Sequence, residues 1–202
     1  MSRECVGSVT GELDLSKLSS LDLKEAVAPS GLVDDKRKIE LFCGKIRVPS
    51  SDGAQYEVCA SFGSEGFGAG LFQKVGCIAV HGEGSRERVA AVDSSECCIN
   101  VFNVCSGECV ASVGSRGHGP GQFQMPEGVA FNNRGEMYVG DAALHRISVF
   151  DASGSYLRCF GELGREEGQF WSPIGLAFTA GGELAVADNG NHRVQVLRED
   201  GT

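Results

Sequence analysis

Apolar and polar residues alternate in short runs through the second half of the chain. Within residues 114–160 four such runs occur, over 128–131, 136–139, 146–150 and 156–160. Alternation with a period of two places successive side chains on opposite faces of a β-strand. Glycines between the runs, such as Gly135 and Gly154, supply the positive φ angles that tight antiparallel connections need. The pattern therefore predicts four short antiparallel strands in this segment.

The same segment is repeated further along the chain. Residues 161–201 align with residues 114–154 without a gap, and 17 of the 41 aligned positions are identical. The identical positions include Gly-Gln-Phe (Gly121-Gln122-Phe123 and Gly168-Gln169-Phe170), Pro126 and Pro173, Asp141 and Asp188, and His145-Arg146 and His192-Arg193. A repeat of about 40 to 50 residues with four strands in each unit is typical of the blades of a β-propeller.

Weaker copies of the repeat extend toward the N-terminus. Four acidic residues are each followed at the fifth position by Lys, Cys or Arg and at the sixth and eighth by apolar residues, namely Glu40, Asp93, Asp141 and Asp188. We therefore predict an all-β propeller of four-stranded blades, as a single domain over residues 1–202. Its repeats cover 12–62 (degenerate), 63–113, 114–160 and 161–202, and the last repeat lacks its outer strand.

The N-terminus carries a second copy of an outer strand. Residues 4–9 nearly copy residues 108–113, which form the predicted outer strand of an earlier repeat. Residues 1–11 are therefore predicted to complete the last blade and to close a four-bladed ring. The alternative is a fragment of a six-bladed propeller, whose unpaired strand edges would allow self-association between chains.

Charge and cysteine content restrict the class of protein. The formal net charge is -9, which argues against a surface built throughout to neutralise phosphates, although a local basic face is compatible with it. The nine cysteines include no Cys-x-x-Cys pair, so neither a zinc site nor a disulfide framework is indicated. The first residues lack the apolar core of a signal peptide and no apolar run approaches the length of a membrane span, so a cytoplasmic, reducing location is expected.

These motifs resemble the NHL repeat. Gly-Gln-Phe, Pro-x-Gly-[VL]-Ala-Phe and Asp-x3-His-Arg-[IV]-x-Val all occur in residues 114–201, and the tripeptides 144–146 and 191–193 stand at the Asn-His-Leu position. The resemblance is strong over 114–201, fair over 63–113 and weak before that. It implies a β-propeller, most often six-bladed, like the C-terminal propeller of tripartite-motif E3 ubiquitin ligases, which recognises substrate proteins or RNA. No RING or B-box spacing is present, so the chain is not a complete ligase of that kind.

The turn between the second and third strands has two interpretations. The recurring Asp-to-Arg spacing is expected to form a charge-assisted hydrogen bond that fixes this turn in each blade. Alternatively, these turns and the connections between blades share one locally basic face that binds a partner. The candidate partner-binding residues are Arg116, His145, Arg146, Arg165, Trp171, His192 and Arg193, together with His118. A protein is the expected partner and RNA is the alternative.

Catalysis is the less favoured alternative. Some related propeller enzymes hold a metal in the central channel, which requires several His or carboxylate ligands on different inner strands. The residues at the corresponding positions are Ser30, Gly76, Glu127 and Ile174. One carboxylate does not form a ring of ligands, so we predict no enzyme activity, no metal and no cofactor. A metal-dependent hydrolase or lyase of propeller type stays as the alternative.

Overall fold

The computed structural model describes residues 60–201 and the backbone of two short strands before them. Backbone contacts group the chain into two units, 1–58 and 59–202. In the first unit, β1 (Glu40–Phe42) and β2 (Lys45–Arg47) form an antiparallel hairpin in which Glu40 faces Arg47. The sequence aligned Glu40 and Lys45 with Asp141 and Arg146, which face each other in their ladder. In this hairpin Lys45 faces Phe42 instead, so the predicted equivalence is wrong in register.

Several predictions lie outside the described residues. They are the outer strand in 1–11 and the inner strand near Ser30. Both the single-domain organisation of the whole chain and the closed four-bladed ring stay predictions.

Residues 60–201 contain three consecutive antiparallel sheets, which we call blades I, II and III. Blade I consists of β5 (Val75–His81), β6 (Arg88–Asp93), β7 (Cys98–Asn103) and β8 (Cys109–Val113). Blade II consists of β9 (Pro126–Phe131), β10 (Met137–Asp141), β11 (Arg146–Phe150) and β12 (Tyr156–Phe160). Blade III consists of β13 (Pro173–Phe178), β14 (Leu184–Asp188) and β15 (Arg193–Leu197). The strands of each blade are ordered as in the sequence.

The all-β prediction is confirmed over these residues. The only helices in the described part are two single 3-10 turns, Gly84–Arg86 and Asn189–Asn191. The third and fourth strands of blade II have the predicted bounds. Its second strand extends two residues beyond the predicted end, because the ladder continues until Asp141 faces Arg146.

Blade II packs on both neighbours because its strands are apolar on both faces. Met137 and Val139 belong to a buried cluster shared with blade I. Tyr138, between them, belongs to a second buried cluster that includes Leu184 and Val186 of blade III. Successive residues of one strand therefore contribute to two different cores, as the pleat of a strand requires.

The connections between blades share one compact form. In the connection from blade I to blade II, a parallel bridge pairs Arg116 with Phe123, and Leu163 and Phe170 form the same bridge one blade later. Gly114 begins the first connection at a φ of +92°, and a Cβ there would lie 2.4 Å from the Phe123 ring. Two further short strands, β3 (Ser64–Glu65) and β4 (Leu71–Phe72), form the equivalent parallel pair before blade I. The spacing of nine residues from Gly to Phe thus specifies a compact loop, in which the Phe ring at the end packs against the glycine at the beginning.

Candidate functional site

The acidic residue at the end of each second strand is an internal cap. Asp93, Asp141 and Asp188 are completely buried. Asp141 accepts hydrogen bonds from the backbone amides of Ala143 and Leu144 in its own turn. It also accepts from the amides of Gln124 and Met125, in the connection that enters the blade. One carboxylate therefore joins the turn between strands to the connection between blades, and places both on the same face.

The ionisation of Asp188 is favoured by its hydrogen bonds. Burial alone raises the pKa of this carboxyl, but the Asn191 side chain, the Trp171 amide and the Arg193 guanidinium all donate to it. Their combined effect outweighs burial and holds the pKa of Asp188 below its ordinary value. The group is therefore a charged acceptor at neutral pH.

The two arginines of the Asp-x3-His-Arg motif are held by their own blades. Arg193 donates from Nε to Asp188 at 2.8 Å and from its terminal nitrogen to the carbonyls of Glu166 and Gln169. Arg146 donates instead to the carbonyls of Gly119 and Gln122, at 3.0 Å each.

The predicted Asp-to-Arg bond is therefore not common to all blades. Among the described residues it forms in blade III only, as a salt bridge between Arg193 and Asp188. In blade II the backbone amides already occupy the carboxylate of Asp141. In blade I the residue at the arginine position is Cys98. The prediction that this bond fixes the turn in each blade is wrong for blades I and II.

The histidine of the same motif joins neighbouring blades. His145 and His192 adopt left-handed backbone conformations, as does Cys97 at the equivalent place in blade I. The Nδ1 atom of His145 accepts a hydrogen bond from the Ser172 amide, at the entry to blade III. Cys97 donates its thiol to the Gln124 carbonyl at the entry to blade II. This position therefore contributes to blade stacking, whereas His192 is exposed.

Several of the predicted partner-binding residues are exposed, and most of these lie in the connections between blades. Arg116 is exposed and donates to the Ser95 carbonyl at 2.8 Å. Arg165 is also exposed, and its guanidinium carbon lies 5.8 Å from the centre of the Trp171 ring. Trp171 is 44% exposed. Of the predicted partner-binding residues, Arg146, Arg193 and His145 make internal hydrogen bonds. The others present side chains to solvent, namely Arg116, His118, Arg165, Trp171 and His192.

Sequence reasoning missed the role of the glutamine in Gly-Gln-Phe. The Oε1 atom of Gln122 accepts from the Gly119 amide, and that of Gln169 accepts from the Glu166 amide. Both glutamines therefore brace the connection in which the exposed arginines lie. The recurrence of the glutamine at the same place in two connections was the available signal, because each copy can then form the same hydrogen bond within its own loop.

The described residues hold no group of three or more His, Cys, Asp or Glu side chains placed to bind a metal ion. At the channel positions, Glu127 is half-buried and Ile174 is exposed. Across residues 60–201, no helix has the length and apolar character needed to cross a membrane. The six described cysteines are free thiols, and burial raises the pKa of Cys97, Cys98 and Cys109, which lowers their reactivity.

Two four-stranded blades and a three-stranded one, stacked in sequence and joined by compact loops, define the class of the fold as a β-propeller. Sequence comparison identifies its repeat. Residues 170–197 match the NHL repeat, so the resemblance to the NHL-repeat family is supported. This match covers the Asp188 cap, His192 and Arg193. No curated protein sequence matches the chain.

Solved structures with the same architecture are distant in sequence. A putative exported protein from Bacteroides fragilis is 21% identical, with a TM-score of 0.52 over 70% of this chain and 40% of its own. An inactive H270A variant of virginiamycin B lyase from Staphylococcus aureus, solved with quinupristin, is 18% identical, with a TM-score of 0.50 over 79% of this chain and 44% of its own. A streptogramin B lyase is 15% identical, with a TM-score of 0.50 over 79% of this chain and 43% of its own. The chain thus spans about two fifths of the length of these structures, and the likeness establishes the fold alone.

Proposed function

We propose that this chain is a non-enzymatic, protein-binding module of NHL type. Its working surface is the face formed by the connections between blades and the turns between second and third strands. We call it the loop face, and its exposed members are Arg116, His118, Arg165, Trp171 and His192. The observation that carries the proposal is the exposure of Trp171 on a rigid support.

Trp171 is held in place by its backbone while its ring stays accessible. Its amide donates to Asp188 at 2.7 Å, and its carbonyl accepts from the Gly190 amide at 2.7 Å. Arg165 lies over the ring at a distance at which a cation and an aromatic face attract each other. A large amphipathic ring fixed on a rigid scaffold loses little conformational entropy on binding, and Trp and Arg are enriched among residues that dominate protein interfaces.

A protein fits this face better than RNA does. The two arginines best suited to grip phosphates, Arg146 and Arg193, already donate to backbone carbonyls. The loop that carries Arg165 also exposes Glu162, Glu166 and Glu167. Carboxylates beside Arg165 oppose a phosphate backbone, whereas mixed charge around an aromatic residue is compatible with a protein interface.

The first experiment uses affinity capture from the cell of origin, with and without nuclease. We expect captured proteins to survive nuclease treatment, and Trp171→Ala to reduce their recovery about 10-fold or more, as expected for an interface anchor. Leu157→Ala is the matched control, because Leu157 is 45% exposed on the outer strand β12. Capture that disappears with nuclease would contradict the proposal in favour of RNA.

The fluorescence of Trp171 gives a second, direct measurement. The chain has one tryptophan, so its emission reports on the loop face alone. A purified partner should shield this ring from a neutral quencher. Equal quenching with and without a bound partner would place the interface elsewhere.

The non-enzymatic part of the proposal has its own test. The neighbouring structures named above include lyases, one of them with quinupristin. We expect no loss of quinupristin on incubation with the chain, with or without added divalent metal, and no stoichiometric metal in the purified protein. Cleavage in this assay would favour the lyase alternative.

We further propose a reducing, intracellular setting, because the described cysteines are all free thiols. A role in substrate recognition linked to a ubiquitin ligase is the finer form of the proposal, and it derives from the tripartite-motif resemblance. Identification of the captured proteins, with and without ligase subunits among them, tests this form.

A further inference from the structure

Blade III is apolar on both faces, although described residues cover only one. Val194 and Val196 on β15 point away from blade II and are 69% and 58% exposed. Their equivalents in blade II, Ile147 and Val149, are completely buried. An antiparallel sheet with one face in water normally alternates apolar and polar residues. The free face of blade III therefore has the composition of a face that is covered.

A glycine in blade III supports the same conclusion. In blade II, a Cβ on Gly128 would lie 2.3 Å from the carbonyl oxygen of Ile174, because the inner strands of the two blades approach closely. Gly175 is the equivalent residue of blade III. A Cβ there would meet only Ala187 of its own blade, at an ordinary 3.4 Å. Blade III thus has a glycine, Gly175, at the position that allows a neighbouring inner strand to approach closely. The described residues place no strand beside it.

Blade I has the opposite face uncovered. Ile78 and Val80 on β5 are 58% and 54% exposed. They occupy the positions of Leu176 and Phe178, which pack against the cluster that blades II and III share. Beside them lies a cavity of about 610 Å³, whose apolar lining includes Phe62, Phe72, Val75, Ile78, Val89 and Phe102.

We propose that the free face of blade III packs against the free face of blade I in a second copy of this chain. Both interfaces within the molecule join one face of a blade to the opposite face of the next. Residues 60–201 leave one face of each kind unmatched, so two copies related by a twofold axis satisfy both at once in a closed, symmetric dimer. The partner is therefore another copy, recognised by the apolar surface that already joins the blades inside each copy.

The internal interface indicates which side chains meet. A Cβ on Gly140 would lie 3.7 Å from the Cδ1 atoms of both Ile147 and Leu176, so these two side chains are neighbours across blades II and III. Val194 is equivalent to Ile147, and Ile78 is equivalent to Leu176. The contact between copies therefore places Val194 beside Ile78.

Sedimentation velocity of the full chain over a range of concentrations tests the proposal. We expect the wild type to associate, and Val194→Glu or Ile78→Glu each to weaken association roughly 100-fold or more, since either buries an unpaired charge in the contact. Val110→Glu is the matched control, because Val110 is 47% exposed on the outer strand β8. It should leave association unchanged. At low concentration, where the wild type is monomeric, all three variants should melt like the wild type, since association itself raises the melting temperature.

Mixing two variants sharpens the test. Ile78→Glu and Val194→Lys should each be monomeric alone and should associate when mixed, because one contact then pairs Glu with Lys and the other is wild type. A wild type that is monomeric at all concentrations overturns the proposal. Association that neither face variant weakens also overturns it and indicates pairing through strand edges. A monomer that Val194→Glu destabilises overturns it too and assigns the face to another part of the same chain.

Discussion

The Asp141 turn of blade II and the Asp188 turn of blade III share the same motif but use different hydrogen bonds. Asp141 accepts from four backbone amides, those of Gln124, Met125, Ala143 and Leu144. Asp188 accepts from one backbone amide, that of Trp171, and from the side chains of Asn191, Arg193 and Gln195. What the two turns have in common is a buried carboxylate with several donors. The motif therefore specifies an acceptor at this place, and the donors vary with the local sequence.

Differences at four positions, three of them consecutive, explain the different donors. Ala142-Ala143-Leu144 in blade II is replaced by Asn189-Gly190-Asn191 in blade III, where a 3-10 turn forms and the Asn191 side chain reaches the carboxylate. Ser148 in blade II corresponds to Gln195 in blade III, and its buried hydroxyl makes no hydrogen bond. Gln195 is long enough to reach Asp188 at 3.2 Å. Longer polar side chains in blade III thus replace the backbone donors of blade II.

The largest effect that tests this comparison comes from replacing each carboxylate by an amide. Asp141→Asn should lower the free energy of unfolding by about 3 kcal/mol, because Asn keeps one acceptor oxygen and its NH2 group then faces a backbone N–H that cannot turn toward water. Asp188→Asn should cost about 1 to 2 kcal/mol, because most of its donors are side chains that can reorient. Urea denaturation of both variants measures the difference. Equal losses would show that backbone and side-chain donors are equivalent here.

The next effect compares the close-approach glycines of the two blades. Gly128→Ala should lower the free energy of unfolding by about 2 kcal/mol or more, since its Cβ would collide with a backbone oxygen and strands must move. Gly175→Ala should be neutral, or stabilising by up to about 1 kcal/mol, in the monomer, because only ordinary contact distances surround it. The pair is matched in residue type and in position within the blade. A large loss at Gly175 in a monomeric sample would show that its open side is already occupied.

The sequence predicted the strands better than the hydrogen bonds of the loop face. Period-two alternation located β11 and β12 without error, because successive residues of a strand face opposite sides and apolar residues recur on the packed side. The topology expected of an antiparallel blade placed the turns and the connections on one face, and the hydrogen bonds of Asp141 to both confirm this. The partners of Arg146 could not be predicted, since they are carbonyls more than twenty residues away whose orientation follows from the folded loop. Residue types give no signal for the direction of a distant carbonyl.

A smaller effect distinguishes the two arginines. Arg193→Lys should lower the free energy of unfolding by about 1 to 2 kcal/mol, because an ammonium cannot reproduce the fork that joins Asp188 to two carbonyls. Arg146→Lys should cost about 0.5 to 1 kcal/mol, since this arginine bonds through one terminal nitrogen and its Nε is buried without a partner. Chemical denaturation of both variants gives the comparison.

Partner affinity is measured on the same two variants. If both arginines act only within their blades, neither substitution selectively weakens binding once the fraction folded is accounted for. A selective loss of affinity in folded Arg193→Lys would restore this arginine to the loop face. Arg134→Ala and Arg158→Ala serve as controls away from the loop face. Arg134 pairs with Glu136 and Glu199, and Arg158 donates to the Tyr138 hydroxyl, so the affinities of these variants are also corrected for the fraction folded.

The smallest effect is a dependence of stability on pH that belongs to blade III. The folded pKa of Asp188 lies below its ordinary value, whereas in the unfolded chain it returns to about 3.9. The hydrogen bonds to its carboxylate therefore stabilise the fold fully at pH values well above about 4, and this contribution is lost as the pH falls through the lower folded pKa. The unfolded chain binds more protons in that window, by less than one for this group, so stability rises with pH there. Asp188→Asn removes the titrating group, and its unfolding free energy, measured between about pH 3 and 6, should fall less steeply on acidification than that of the wild type. If the slopes are the same, Asp188 has the same proton affinity in both states, and its donors stabilise the neutral acid as well as the carboxylate.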